Sequence, residues 1–180
     1  MKKLLFAALA VFAFSFSNAQ EDNGGLALSK GSWLIEANTG FGGDGVAAQG
    51  ANTGFGLYSI DGTTVWALGA EAGYFLADDL ALKVGLGFTD FDGSSNFTYK
   101  VGAKYYIDSQ FPVQVDLTGA SSDDFFGDVN PLWLGLQGGY AWFVADNISI
   151  EPGLRYNISL NEDFTDEGLF EFRIGFALHF

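Results

Sequence analysis

One hundred and eighty residues is a one-domain length. The chain has no cysteine, which excludes a disulfide scaffold, a cysteine-ligated metal site and a lipidated N-terminal cysteine. Glycine (25 residues) and aromatics (17%) are abundant and charged residues are few (17%), yet 22 acids against eight bases give a net charge of −14, so the acids must be concentrated in particular segments.

The N-terminus reads as an export signal. Met1-Lys2-Lys3 is basic, Leu4 to Phe14 is apolar, and Ser17-Asn18-Ala19 supplies the small residues that signal peptidase requires. Residues 1–19 are therefore expected to be a cleaved signal peptide and residues 20–180 the exported domain. Cleavage removes Lys2 and Lys3 and no acid, leaving the mature chain more acidic. No later apolar run reaches the roughly 20 residues of a transmembrane helix. An exported chain without such a helix can still cross a membrane as a closed barrel of strands.

After a short polar lead, residues 30–41 alternate weakly, with Trp33, Ile35, Ala37, Thr39 and Phe41 on one face. The glycine-rich stretch 42–63 reads as a long loop, although 53–59 has enough alternation to extend a strand above a membrane. Two similar pieces follow, Gly73 to Leu82 and Gly139 to Ile150. Each carries Gly-Tyr, an aromatic strand end, and then Ala-Asp-Asp or Ala-Asp-Asn before alternation resumes. Asp and Asn tolerate the left-handed backbone of tight hairpins, so each piece joins two antiparallel neighbours: 64–76 with 80–91, and 132–144 with 148–160. A third pair, 97–107 and 112–119, lies between them. The last strand, 169–180, alternates most cleanly: Phe170, Phe172, Ile174, Phe176, Leu178 and Phe180 oppose Glu171, Arg173, Gly175, Ala177 and His179.

Eight strands result. Tight turns after residues 77, 107 and 145 alternate with long acidic connections at 42–63, 91–96, 120–131 and 161–168. That asymmetry predicts an all-β fold: an eight-stranded antiparallel transmembrane β-barrel, an up-and-down meander with short periplasmic turns and long outer loops. A ninth wall strand at 53–59 would break the even count, so that segment is assigned to the loop. A soluble sandwich would carry ordinary charged residues on its outward face. Here one face is aliphatic and aromatic and the other is small or ionised, with aromatics gathered near strand ends (Trp33, Trp66, Tyr74, Phe88, Phe97, Tyr105, Tyr140, Trp142, Phe170, Phe180) as in interfacial girdles.

Strand parity sorts the charges. Glu36, Glu71, Asp116, Glu151 and Glu171 fall on the inward face with Lys83, Lys100, Lys104, Arg155 and Arg173. The interior of an eight-stranded barrel is just wide enough to be filled by side chains, so these five acids and five bases must pair. The expectation is a salt-bridged lumen with no solute-sized pore. Eleven further acids lie in or beside the long loops with no base among them: Asp44, Asp61, Asp90, Asp92, Asp123, Asp124, Asp128, Glu162, Asp163, Asp166 and Glu167. Such a rim repels nucleic acid and attracts divalent cations, including those that bridge lipopolysaccharide; a merely solvated acidic surface is the plainer alternative.

Other motifs carry little. Gly40-x-Gly42-x-x-Gly45 has the dinucleotide spacing but no helix after it. Asp90 to Gly93 opens like a calcium loop, but Val101 stands where a bidentate Glu is needed. Asp123, Asp124 and Asp128 with Asn130 are the metal candidates, as a loose cation site; no cofactor is expected. Asn96, Asn147 and Asn157 begin glycosylation sequons in or beside strands and are assigned no glycan. His179, the single histidine, falls at the periplasmic rim, away from the outer face where barrel hydrolases work, so no enzyme is expected.

Lys30-Gly31-Ser32-Trp33, Gly73 to Asp79, Ala103-Lys104-Tyr105-Tyr106, Gly139 to Asn147 and Phe180, in this order, resemble the OmpA/OmpX-like outer membrane β-barrel family, often labelled porin-family proteins, over essentially all of 20–180. The resemblance implies location in the outer membrane of a Gram-negative-type bacterium and contact with outer membrane lipid and lipopolysaccharide. It also implies insertion by the outer-membrane assembly machinery, which reads a closing strand ending in Phe, here Phe180. No peptidoglycan-binding domain is expected after the barrel. The function expected is that of a monomeric structural or surface-interaction protein; a narrow channel or conduit for small or hydrophobic solutes is the alternative. Replacing Phe180 with Asn should lower the inserted fraction, read by heat-dependent gel mobility of membrane fractions, while synthesis and export stay normal; unchanged insertion would remove that role from Phe180.

Overall fold

Alternation along each strand sets the architecture. In the computed structural model, which describes residues 27–41, 53–60, 63–91, 94–121 and 129–180, the residues read as outward are exposed and those read as inward are buried: Val84 and Leu86 are 54% and 57% exposed, whereas Lys83 and Glu71 are each 1% exposed. The proposed signal peptide lies outside the described residues, as do Asp44, Asp61, Asp92, Asp123, Asp124 and Asp128.

The strands are β1 (Trp33–Phe41), β2 (Gly56–Ile60), β3 (Thr63–Ala77), β4 (Leu80–Phe91), β5 (Ser94–Ile107), β6 (Phe111–Ser121), β7 (Leu132–Gly139), β8 (Trp142–Ala145), β9 (Ile148–Ser159) and β10 (Leu169–His179). From β3 to β10 each pairs antiparallel with its neighbour in the chain, except that β7 and β8 both pair with β9 as two halves of one wall strand. β1 closes the sheet by pairing with β10 on one side and β3 on the other. The result is a closed eight-stranded meander barrel. At the closure, Trp33 and Phe180 exchange backbone hydrogen bonds of 2.6 and 3.0 Å.

The predicted turns are present. Asp79 adopts φ 63° in the two-residue link between β3 and β4, and Asp108 and Ser109 adopt 50° and 56° after β5. The two repeated pieces also share a bulge just before their Asp-Asp or Asp-Asn turn, at Phe75/Ala77 and at Phe143/Ala145. All ten girdle aromatics lie on the outer face, exposed.

Two expectations need correction. The 53–59 stretch, assigned to a loop, contains β2, which pairs with β3 from Gly56↔Ala67 to Ile60↔Thr63. It adds a strand beside β3 without making a ninth full wall strand. The expected single strand 132–144 is split into β7 and β8, because Pro152 on the facing strand offers no N–H to the ladder. Its carbonyl still accepts from Tyr140 at 3.0 Å, and Ala141 N donates to Gln110 O at 2.7 Å.

Outward placement is directly testable. Leu86→Arg should lower barrel stability by about 2–4 kcal/mol, as a cation facing mid-bilayer does, measured by denaturant unfolding from lipid vesicles. A loss below about 0.5 kcal/mol would mean that Leu86 does not meet hydrocarbon.

Candidate functional site

The inward face gathers the ionisable residues into one lattice. Glu36, Glu71, Lys83, Lys100, Lys104, Asp116, Glu151, Arg155, Glu171 and Arg173 are all at most 3% exposed. They come from seven wall strands, each at the parity that its alternation dictates.

Lys83 and Lys104 share Glu36. Lys83 Nζ lies 2.9 Å from Glu36 Oε2 and 2.8 Å from Glu71 Oε2, and Lys104 Nζ lies 2.6 Å from Glu36 Oε2. Lys104 also pairs with Glu151 and sits over the Tyr106 ring, 5.1 Å from its centroid. Lys100 Nζ is 2.6 Å from Glu71 Oε1. Asn38 Nδ2 donates to Glu36 Oε1 at 2.8 Å. This half of the lattice therefore alternates base and acid around the lumen.

The second half is built on Arg155. Its Nη1 and Nη2 each donate to Asp116 at 2.6 Å, a bidentate fork, and its Nε donates to Asn157 at 2.7 Å. Asn157 Nδ2 passes the contact to Glu171 at 2.7 Å, and Arg173 Nη2 reaches the same carboxylate at 2.9 Å. Thr118 donates to Asp116 at 2.8 Å. Glycine makes the room: a methyl added at Gly135 would collide with the Arg155 guanidinium.

Gln114 joins the halves. Its Oε1 accepts from Lys83 at 2.9 Å and its Nε2 donates to Asp116 at 2.7 Å. An amide carries donor and acceptor on one head, so it can meet a base and an acid at once. Parity placed Gln114 inward, yet nothing in the sequence marks it as the bridge.

Apolar caps at the two ends were also missed. At the inner end Leu28, Leu34, Phe75, Ala81, Tyr106, Ala141 and Ala177 form a buried cluster with Phe143 against it. His179, fully buried, is seated among rings, with centroids 6.3 Å from Phe75, 6.2 Å from Tyr106 and 5.4 Å from Phe143. The segment before β1 folds across this floor: Leu28 O accepts from Asp79 N at 2.8 Å and Gly31 N donates to Phe75 O at 2.9 Å. At the outer end Trp133 and Leu169 are buried together, and Phe164 of the 161–168 loop meets Trp133 edge-on at 5.9 Å. The available signal was a bulky aromatic at an inward position near a strand end, on a face otherwise small or ionised.

His179 is not at an open rim. Ser149 Oγ donates to Glu151 at 2.8 Å and lies 3.1 Å from His179 Nε2. A serine hydroxyl has one proton to give, so His179 Nε2–H is the donor in the second contact. Tyr106 Oη also donates to Glu151, at 2.9 Å. Among the sequon residues, Asn96 and Asn157 face the lumen and are buried. The metal candidates Asp123, Asp124 and Asp128 lie outside the described residues, and the described residues contain no group of three or more metal-ligating side chains. Phe180 stands on the outer face, 57% exposed.

No family model and no curated protein sequence matches the chain. Solved structures do. The N-terminal β-barrel domain of OprF from Pseudomonas aeruginosa matches with a TM-score of 0.52 at 16% identity, over 84% of this chain and 98% of that one. Neisserial surface protein A matches with a TM-score of 0.50 at 18% identity, over 84% and 100%. These neighbours are small outer membrane β-barrels, in agreement with the fold that the OmpA/OmpX-like resemblance implies.

The lattice makes a quantitative prediction. Asp116→Ala leaves Arg155 buried without its fork and should cost about 3–5 kcal/mol, measured by denaturant unfolding of the refolded barrel. Asp116→Leu with Arg155→Met removes both charges and should recover most of that loss. A double variant no better than the single one would mean that the pair is not a self-contained unit.

Proposed function

We propose that this chain is an integral outer membrane protein of the small-barrel type whose work is structural or done at the cell surface, with a lumen closed to solutes. The observation that supports closure is the lattice itself. Ten ionised side chains fill the bore, joined across it by Gln114, with an aromatic floor at one end and Phe164 on Trp133 at the other. Water-filled channels need wider barrels.

The signal sequence and the barrel support a route through the periplasm, with the assembly machinery reading the Phe180 strand. The outer surface supports the reading of its contacts. Glu162, Asp163, Asp166 and Glu167 lie on one loop, and among the described residues Lys30 is the one base outside the lumen. Its backbone N donates to the Asp78 carboxylate on the periplasmic side, at 2.8 Å. A surface of this charge meets lipopolysaccharide phosphates through divalent cations and does not hold nucleic acid. Catalysis is not part of the proposal: Ser149 and His179 are both fully buried, and the serine proton is directed at Glu151.

Planar bilayers test closure. Folded wild-type protein should give no steady solute-sized conductance, and Arg155→Ala should introduce current steps if it remains folded. Steady wild-type conductance would favour the channel reading. Calcium titration of the refolded barrel should show weak binding that disappears when Glu162, Asp163, Asp166 and Glu167 are all replaced by Gln and Asn. Binding unaltered by those changes would move the cation site elsewhere.

A further inference from the structure

One joint of the wall is built unlike the others. β1 and β3 pair over only four residues, Trp33–Glu36 against Glu71–Tyr74, whereas β3 and β4 pair over twelve. Above that point β1 stays with β10 as far as Phe41, and β3 takes β2 as its partner, from Ala67 up to Thr63. Since β1 and β2 are each antiparallel to β3, they run parallel to one another and diverge.

The chain enters this joint from inside. Thr53 is fully buried in the lumen, where its Oγ1 donates to Glu71 Oε1 at 2.6 Å. Its backbone lies over Gly69 so closely that a Cβ there would stand 2.6 Å from the Thr53 carbonyl oxygen. Two residues later Phe55 is on the outer face, its ring 6.4 Å from that of Phe176 and its N–H bonded to Asn38 O at 2.8 Å. Leu57 continues outward and is 76% exposed. Thr53, Gly54 and Phe55 thus thread the wall from lumen to outside.

We propose that Thr53–Ile60 is a separable wall segment latched by the Thr53–Glu71 hydrogen bond, so that the β2–β3 hairpin can part from the β1 edge without dismantling the lattice. Glu71 keeps Lys83, Lys100 and Asn38 when Thr53 leaves. Release therefore breaks one hydrogen bond to a charged group and the Phe55–Asn38 backbone bond, leaves the four-residue β1–β3 ladder in place, and strands no buried charge. A full wall strand could not leave so cheaply, because its departure would strip two ladders in hydrocarbon. This joint is independent of whether the lumen conducts.

The chain has no cysteine, so a single reporter is clean. Ala67→Cys places a thiol on the inward face opposite Gly56, and Ala141→Cys places one in the inner floor. In barrels folded into liposomes, a membrane-impermeant maleimide should label Cys at position 67 about tenfold faster in a Thr53→Val background, the population change that loss of one charge-assisted hydrogen bond brings. Thr53→Ser should label like the parent, and position 141 should not respond. An unchanged rate at 67, or an equal rise at 141, would overturn the latch. If Thr53→Val does not fold, hydrogen exchange of the parent decides: amides of Phe55 to Ile60 should exchange well ahead of those of β4 to β6, and equal protection would refute separability.

Discussion

Charges enclosed where water cannot reach have to be neutralised by one another, and most of this structure can be traced to that requirement. Ten ionised groups share the bore, and their heads must alternate in sign across strands that are distant in the chain. This fixes the parity of each strand: a slip by one residue would turn Arg155 or Lys83 into hydrocarbon and bring an aliphatic side chain inward. It also dictates where bulk is allowed. Arg155 can lie across the lumen because Gly135 contributes no side chain there. The aliphatic outer face is thus the complement of an ionic inner one, and neither can shift without the other.

The two ends of the bore serve the same electrostatics. Phe75, Phe143 and Tyr106 ring His179 at the floor, and Trp133 meets Phe164 at the top. Burial of these side chains lowers the local dielectric, which strengthens each ion pair and raises the cost of any unmatched group. Ser149 and Tyr106 mark the boundary, their hydroxyls both given to Glu151. The floor thereby passes from rings to charges within one layer of side chains.

Parity along the strands made the fold and the ten lumenal residues legible before any coordinates. A period of two assigns a face to each residue, and an ionised side chain on a face that is otherwise glycine and alanine has one sensible partner class. What parity does not encode is depth or distance. It put Gln114, Phe75, Tyr106 and Trp133 on the inward side without showing that the first bridges two clusters or that the others gather into apolar clusters at the ends. β2 escapes for a different reason: 53–59 alternates well enough for a strand, but a ninth wall strand would break the even count, and alternation does not show that its partner is the same strand that β1 already uses. The split between β7 and β8 depends on Pro152, which lies in the opposing strand and so leaves no trace in 132–144 itself.

The pairing of β1 with β10 bears on the order of folding. These strands are nearly the whole chain apart, and their union is what turns an open sheet into a closed cylinder. Until β10 is in place every intermediate has unpaired N–H and C=O groups along both margins, which hydrocarbon does not tolerate. The wall therefore cannot be laid into a bilayer strand by strand as it emerges. The free margins have to be paired or kept from hydrocarbon until β10 meets β1, so closure is the long-range contact expected to limit the rate.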